Sequence, residues 1–172
     1  PAFVVAGLVC EFPEESPPRL WDRLLLRKDE LKHVSGSAWG LAMALPMQSP
    51  DHFKYLAGWE VDSTKDLPEG FTAWEVPATS YAVLQCNDVA DIDRVLSYFY
   101  GQWSQVSPDW ESAGGYMAEC YLASYPEDHQ IYLHLPVKPR QAPRQAIEGR
   151  LVLEGVPRIG FHRHLSPTPG SV

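Results

Sequence analysis

The chain has 172 residues, of which 45% are hydrophobic and 21% charged, enough for one soluble domain with or without a tail. A formal net charge of −8 argues against a nucleic-acid surface, which requires a basic face. Three cysteines (Cys10, Cys86, Cys120) without paired spacing exclude a disulfide framework or zinc knuckle and fit buried thiols in a cytoplasmic location, and no apolar run approaches the roughly 20 residues of a membrane span.

In chain order, residues 1–8 read as an extended, β-branched stretch. A helix is predicted over 17–32, capped by Ser16, with Pro17 in its first turn and Leu20, Trp21, Leu24, Leu25 and Leu31 as apolar positions. Strands follow over 37–45 and 53–61, separated by turn residues Pro46, Pro50 and Asp51. A polar link over 62–70 leads to an extra strand over 71–76. Pro77 then interrupts it or marks an edge, because proline cannot donate to a ladder.

The same order now returns. Residues 77–84 are extended, and a helix is predicted over 89–103, capped by Asp88, with Ile92, Val95, Leu96, Phe99 and Trp103 apolar. Strands over 115–124 and 129–137 close the second half around Tyr125, Pro126, Glu127 and Asp128. Residues 1–8 align with 77–84, and 53–61 with 129–137, at one offset of 76 residues. The chain therefore reads as β-α-β-β twice, with repeat halves 1–61 and 71–137 in a domain over 1–138.

Beyond it, residues 139–172 form a basic, proline-rich extension with linker composition and an expected hairpin over 151–164. The charge divides at the same place. Residues 138–172 hold six basic and two acidic side chains, or +4, and residues 1–137 hold eight basic and twenty acidic, or −12.

Four blocks resemble the GyrI-like small-molecule-binding domains, also known as bacterial transcription-activator effector-binding domains. These are Lys54 to Val61, Leu67 to Gly70 with Phe71, Glu75 to Val83 around Pro77-Ala78 and Tyr81-Ala82-Val83, and Leu135-Pro136-Val137-Lys138. They occur in family order and span residues 1–138. The resemblance implies an α+β fold in which two pseudo-twofold βαββ modules form one antiparallel sheet. Two helices would lie on one face, and a ligand cleft would lie between the modules. Met117-Ala118-Glu119-Cys120-Tyr121 matches the family element that puts a glutamate in that cleft, so Glu119 and Tyr121 carry over. Ala118 departs from the usual aromatic before the glutamate. Relatives often carry an acid in the last strand, where this chain has Gln130 to His134, which weakens any chemistry needing two carboxylates.

Glu119 lies in an otherwise apolar strand, and alternation puts Met117, Glu119 and Tyr121 on one face. A buried carboxylate there raises its own pKa and is relieved by a cationic aromatic ligand. The alternative is an exposed edge with Glu119 in water. Tyr81, Tyr116, Tyr121 and Trp39 are the aromatic candidates for the cleft wall, since ring faces attract organic cations. Most of the other rings read as core. His129, His134, His162 and His164 offer no third ligand at metal spacing, so no metal is assigned, and no cofactor is implied. Cys120 has no neighbouring histidine to activate it and reads as a buried thiol.

The leading reading is a small-molecule effector-binding domain for amphipathic aromatic, cationic compounds. It would serve as the sensor of a transcription regulator or as a free-standing binder, with no direct nucleic-acid contact and no membrane. A DNA-binding domain upstream of Pro1 is the corresponding expectation. Two other classes compete. One is a hydrolase of strained, cyclopropane-bearing molecules with Glu119 as general acid or base, assisted by Tyr81, Tyr121, Tyr132 or His134. The other is an acidic protein–protein inhibitor module.

Overall fold

Alternation along the strands dictates a sheet with two apolar faces. On β1 (Phe3–Phe12), Ala6, Leu8 and Cys10 pack to one side and Val5 and Val9 to the other. The computed structural model describes residues 1–44, 52–122, 125, 127, 130–140 and 159–162. Within them the remaining strands are β2 (Val34–Ala44), β3 (Phe53–Val61), β4 (Thr72–Val76), β5 (Ser80–Cys86), β6 (Trp110–Ser112), β7 (Tyr116–Tyr121), β8 (Ile131–Pro139) and β9 (Ile159–His162). They form one antiparallel sheet in the order β4-β1-β3-β2-β7-β8-β5-β9, with the short β6 added on β8. The helices are α1 (Pro17–Leu25) and α2 (Ile92–Tyr98). The α+β class and single antiparallel sheet agree with the expectation.

The two β-α-β-β units meet along β2 and β7, where Ala38 faces Tyr121, Gly40 faces Glu119 and Met43 faces Tyr116. This register shows that both helices share one face. Ala38 and Ala42 pack with Leu20 and Leu24 of α1. Their register partners Tyr121 and Met117 pack with Val95 and Phe99 of α2. Residues opposite each other in a ladder point the same way.

Local chemistry moves several boundaries. Helix α1 ends at Leu25 and gives way to a 3-10 turn at Lys28–Glu30. There the Arg27 guanidinium bonds both Glu30 oxygens and the Glu69 carbonyl, tying the turn to the 62–70 link. Ser16 makes no side-chain cap bond. Pro17 and Pro18 have no N–H to offer it. Asp88 does cap, accepting from the Asp91 N–H. The second helical run widens into a π turn over Phe99–Trp103 before a last α turn at Ser104–Val106. That widening leaves the Phe99 and Trp103 rings stacked 5.1 Å apart and both buried. Strand β6 is too short for periodicity to reveal. Strands β7 and β8 are bounded at Tyr121 and Ile131, inside the expected limits.

Thr72–Val76 joins the first unit, pairing with β1 at the sheet's edge. Of the expected hairpin, residues 159–162 form β9 on β5, whereas 151–158 and 163–164 lie outside the described residues. The three described cysteines are buried and free. Among the described residues, no helix is long and apolar enough to cross a membrane. Truncating Phe99 to alanine should cost about 3–5 kcal/mol, because the ring is fully buried beneath α2. Urea unfolding measures this, and a loss below about 1 kcal/mol would mean that the π turn can collapse onto the cavity.

Candidate ligand site around Glu119

Strand β7 brings Glu119 to the seam between the units, on the helix-bearing face, with 5% of its surface exposed. Its Oε2 accepts a hydrogen bond from the Tyr55 hydroxyl at 2.6 Å and another from the Tyr121 hydroxyl at 2.8 Å. Tyr55 comes from β3 and packs in the α1 cluster, and Tyr121 comes from β7 and packs against the α2 cluster. Each unit thus supplies one donor to the same oxygen. The Tyr55 hydroxyl in turn accepts from the Trp21 indole N–H at 3.1 Å, so a hydrogen-bonded chain runs from α1 to the carboxylate.

Aromatic rings surround this chain. Trp21 stands edge-on to Tyr121 at 5.2 Å and to Trp59 at 6.2 Å, and Tyr121 meets Tyr125 at 5.1 Å. Room for the carboxylate comes from Gly40, directly across the β2–β7 ladder. A Cβ at Gly40 would overlap the Tyr55 hydroxyl and stand 2.6 Å from Glu119 Oε2.

Burial raises the pKa of the Glu119 carboxyl, and the two tyrosine hydrogen bonds only partly offset that rise. Burial and the neighbouring carboxylate hold Tyr55 and Tyr121 well above the usual phenol range. Burial also pushes the Cys120 thiol up to about 11, so it is protonated at neutral pH and is no nucleophile.

The structure separates the five candidates into two groups. Glu119 and Tyr121 come together with Tyr55 and Trp21. Trp39, Tyr81 and Tyr116 lie on the opposite face of the sheet, where they pack with Val5, Ala118 and Cys120. The expectation of one cleft walled by all five is therefore corrected. Odd and even residues of a strand face opposite ways, so Tyr116 and Glu119, three apart on β7, cannot share a face. On that far side Tyr81 donates to the Pro77 carbonyl at 2.8 Å and makes a short hydroxyl–hydroxyl bond with Tyr116.

Tyr55 and Trp21 escaped selection because each sits at an ordinary core position of its own element. The alternation Tyr55, Ala57, Trp59, Val61 places Tyr55 on the helix side, but only the β3-β2-β7 register brings it to Glu119. Among the described residues no cluster of His, Cys, Asp and Glu is arranged to hold a metal. His129 and His164 lie outside the described residues, as does the side chain of His162.

Because Glu119 binds its proton more tightly folded than unfolded, its contribution to stability is complete below the ordinary glutamate value of 4.5 and is lost as pH rises toward the folded pKa. Wild type should therefore lose stability relative to Glu119→Gln as pH increases above that value. Urea midpoints for the pair across pH 4 to 8 read the difference, and parallel curves would mean that the carboxyl is not desolvated.

Comparison with known proteins bears on the family and the fold. Residues 1–137 match the family model described as Cass2, integron-associated effector binding protein. An 87-residue stretch is 34% identical to the transcriptional regulator BrlR of Pseudomonas aeruginosa, covering 48% of this chain and 31% of that protein's length. The tetraphenylphosphonium-bound structure of SAV2435 superposes with a TM-score of 0.61 at 12% identity, over 80% of this chain and 89% of the other. An integron cassette protein of Vibrio cholerae gives 0.56 at 16% identity, over 80% and 91%. The crystal structure of a protein from Staphylococcus aureus MU50 gives 0.57 at 11%, over 80% and 93%. At such identities the structural likenesses establish the fold alone. The family match covers most of the chain, and the chain belongs to the integron-associated effector-binding protein family, whose members are small-molecule-binding domains.

Proposed function

We propose that this domain binds amphipathic aromatic cations at Glu119, in the manner of the GyrI-like domains it resembles. One observation carries the reading. An acid is buried among aromatic rings, and among the described residues no lysine or arginine pairs with it. Burying a lone charge is unfavourable, so the apo site favours the protonated acid. A ligand cation reverses that balance by pairing with the carboxylate while its rings pack against Trp21 and Tyr121. Both rings are only half-buried. Access to Glu119 would run past them.

The acidic balance of residues 1–137 would draw cations inward. The partial likeness to BrlR supports a sensory role in a transcription regulator, with the DNA-binding part supplied elsewhere. Three buried free thiols fit the reducing cytoplasm where such a regulator works.

Calorimetry with tetraphenylphosphonium and neutral triphenylphosphine oxide tests the proposal. The cation should bind wild type and weaken at least about tenfold in Glu119→Gln, equivalent to about 1.4 kcal/mol. Its affinity for wild type should rise with pH as Glu119 ionises. Binding to Glu119→Gln should stay flat. Equal binding of cation and neutral compound, or no effect of the substitution, would overturn the reading.

A further inference from the structure

We propose a second ligand site, for flat aromatic cations, on the face of the sheet turned away from the helices. Several of the residues that sequence reasoning singled out but Glu119 does not use converge there. Trp39, Tyr81, Tyr132 and His134 join Phe3 and Glu60 around a groove of about 560 Å³. That volume falls within the roughly 300–1,000 Å³ of small-molecule sites.

The groove is a product of sheet curvature. Val76, on the edge strand β4, and Tyr81, near the opposite end of the strand order on β5, belong to one buried cluster on this face. All members of that cluster lie on strands, and Pro1, Ala2, Ala78, Thr79 and Leu122, from the segments that flank the strands, complete the groove's lining. The walls are ring faces and edges. Trp39 packs against Phe3 at 4.8 Å and against His134 at 5.1 Å, and His134 meets Tyr81 at 5.9 Å.

Two polar features give the groove a chemical preference. Glu60 lines it from β3, and among the described residues it has no ion-pair partner. Its carboxylate occupies space left by Gly36, in the irregular stretch of β2 between Val34 and Ala38. A Cβ at Gly36 would stand 2.6 Å from Glu60 Oε2. The second feature is the Trp39 indole N–H, buried with no acceptor among the described residues. Aromatic walls with one carboxylate and no lysine or arginine in the lining select a flat, positively charged ring system.

The sheet separates this site from Glu119. Trp39 precedes Gly40 and Cys120 follows Glu119 in sequence, and each neighbouring pair points to opposite faces. The two sites therefore share strands but no side chains, and each can be lost without the other.

The probe is 9-aminoacridine, a flat aromatic cation at neutral pH, titrated calorimetrically. Wild type should bind two equivalents. Glu60→Gln should remove one or weaken it at least tenfold and leave the Glu119 site intact. Glu119→Gln should do the reverse. Thr79→Trp places a bulky ring at an exposed position on the groove's rim without touching the core, and it should also abolish the Glu60 equivalent. A single equivalent in wild type that disappears with Glu119→Gln would overturn the second site and leave the first standing. So would two equivalents that survive both Glu60→Gln and Thr79→Trp. Loss of the Glu119 equivalent alone, with the Glu60 equivalent retained in wild type, would fail the first reading and leave this one standing.

Discussion

A buried carboxylate held by two tyrosines is the interaction on which the rest of the molecule's organisation turns. Glu119 sits at the seam where the two units pair, and its Oε2 takes one hydroxyl from each unit's core. Such an arrangement works only if the β2–β7 register is kept. A slip of one residue would turn Glu119 to the other face and put Cys120 in its place. The requirement extends to Gly40, where any side chain would collide with both Tyr55 and Glu119. It extends further to α1, whose Trp21 binds the Tyr55 hydroxyl. Stability of the seam and readiness of the site are therefore the same property. The polar chain that joins the units is also the one a ligand would disturb.

The electrostatics follow from this placement. Burial favours the neutral acid, and two neutral hydroxyl donors favour the anion less strongly than burial opposes it. A group balanced in this way responds to a positive charge brought close to it. A surface glutamate would not. The acidic loops contribute a long-range field, which screening confines to about 8 Å at physiological ionic strength. Close to the carboxylate, the fixed rings and hydroxyls dominate the local electrostatics.

The two faces of the sheet divide the aromatic residues. On one side, α1 and α2 cover two clusters and leave Glu119 between them. On the other, strands from both ends of the sheet curl over a third cluster containing Trp39 and Tyr81. An aromatic content of 12% exceeds what one small pocket needs. The structure accounts for it with two helix-covered cores and a strand-lined concavity.

Much of this could be read from the residues. The doubled order of extended and helical segments implied two equivalent units, and strand Phe53–Val61 falls where alternation put it. Glu119 and Tyr121 were picked out by the resemblance to the GyrI-like domains, beside the observation that a single acid interrupts an apolar strand with Tyr121 on its face. The parity that grouped Met117, Glu119 and Tyr121 already sets Tyr116 on the other face, whereas no local pattern says which face Trp39 and Tyr81, on other strands, share. Facing depends on parity within a strand and on register between strands, and the register across the seam is set by pairings such as Gly40 with Glu119, 79 residues apart in the chain. Composition and periodicity thus determined the main elements and the repeat, and with the family resemblance the candidate acid. Only the tertiary structure decided that Tyr55 and Trp21 complete the acid's surroundings, because long-range strand pairing is what brings separate segments onto one face.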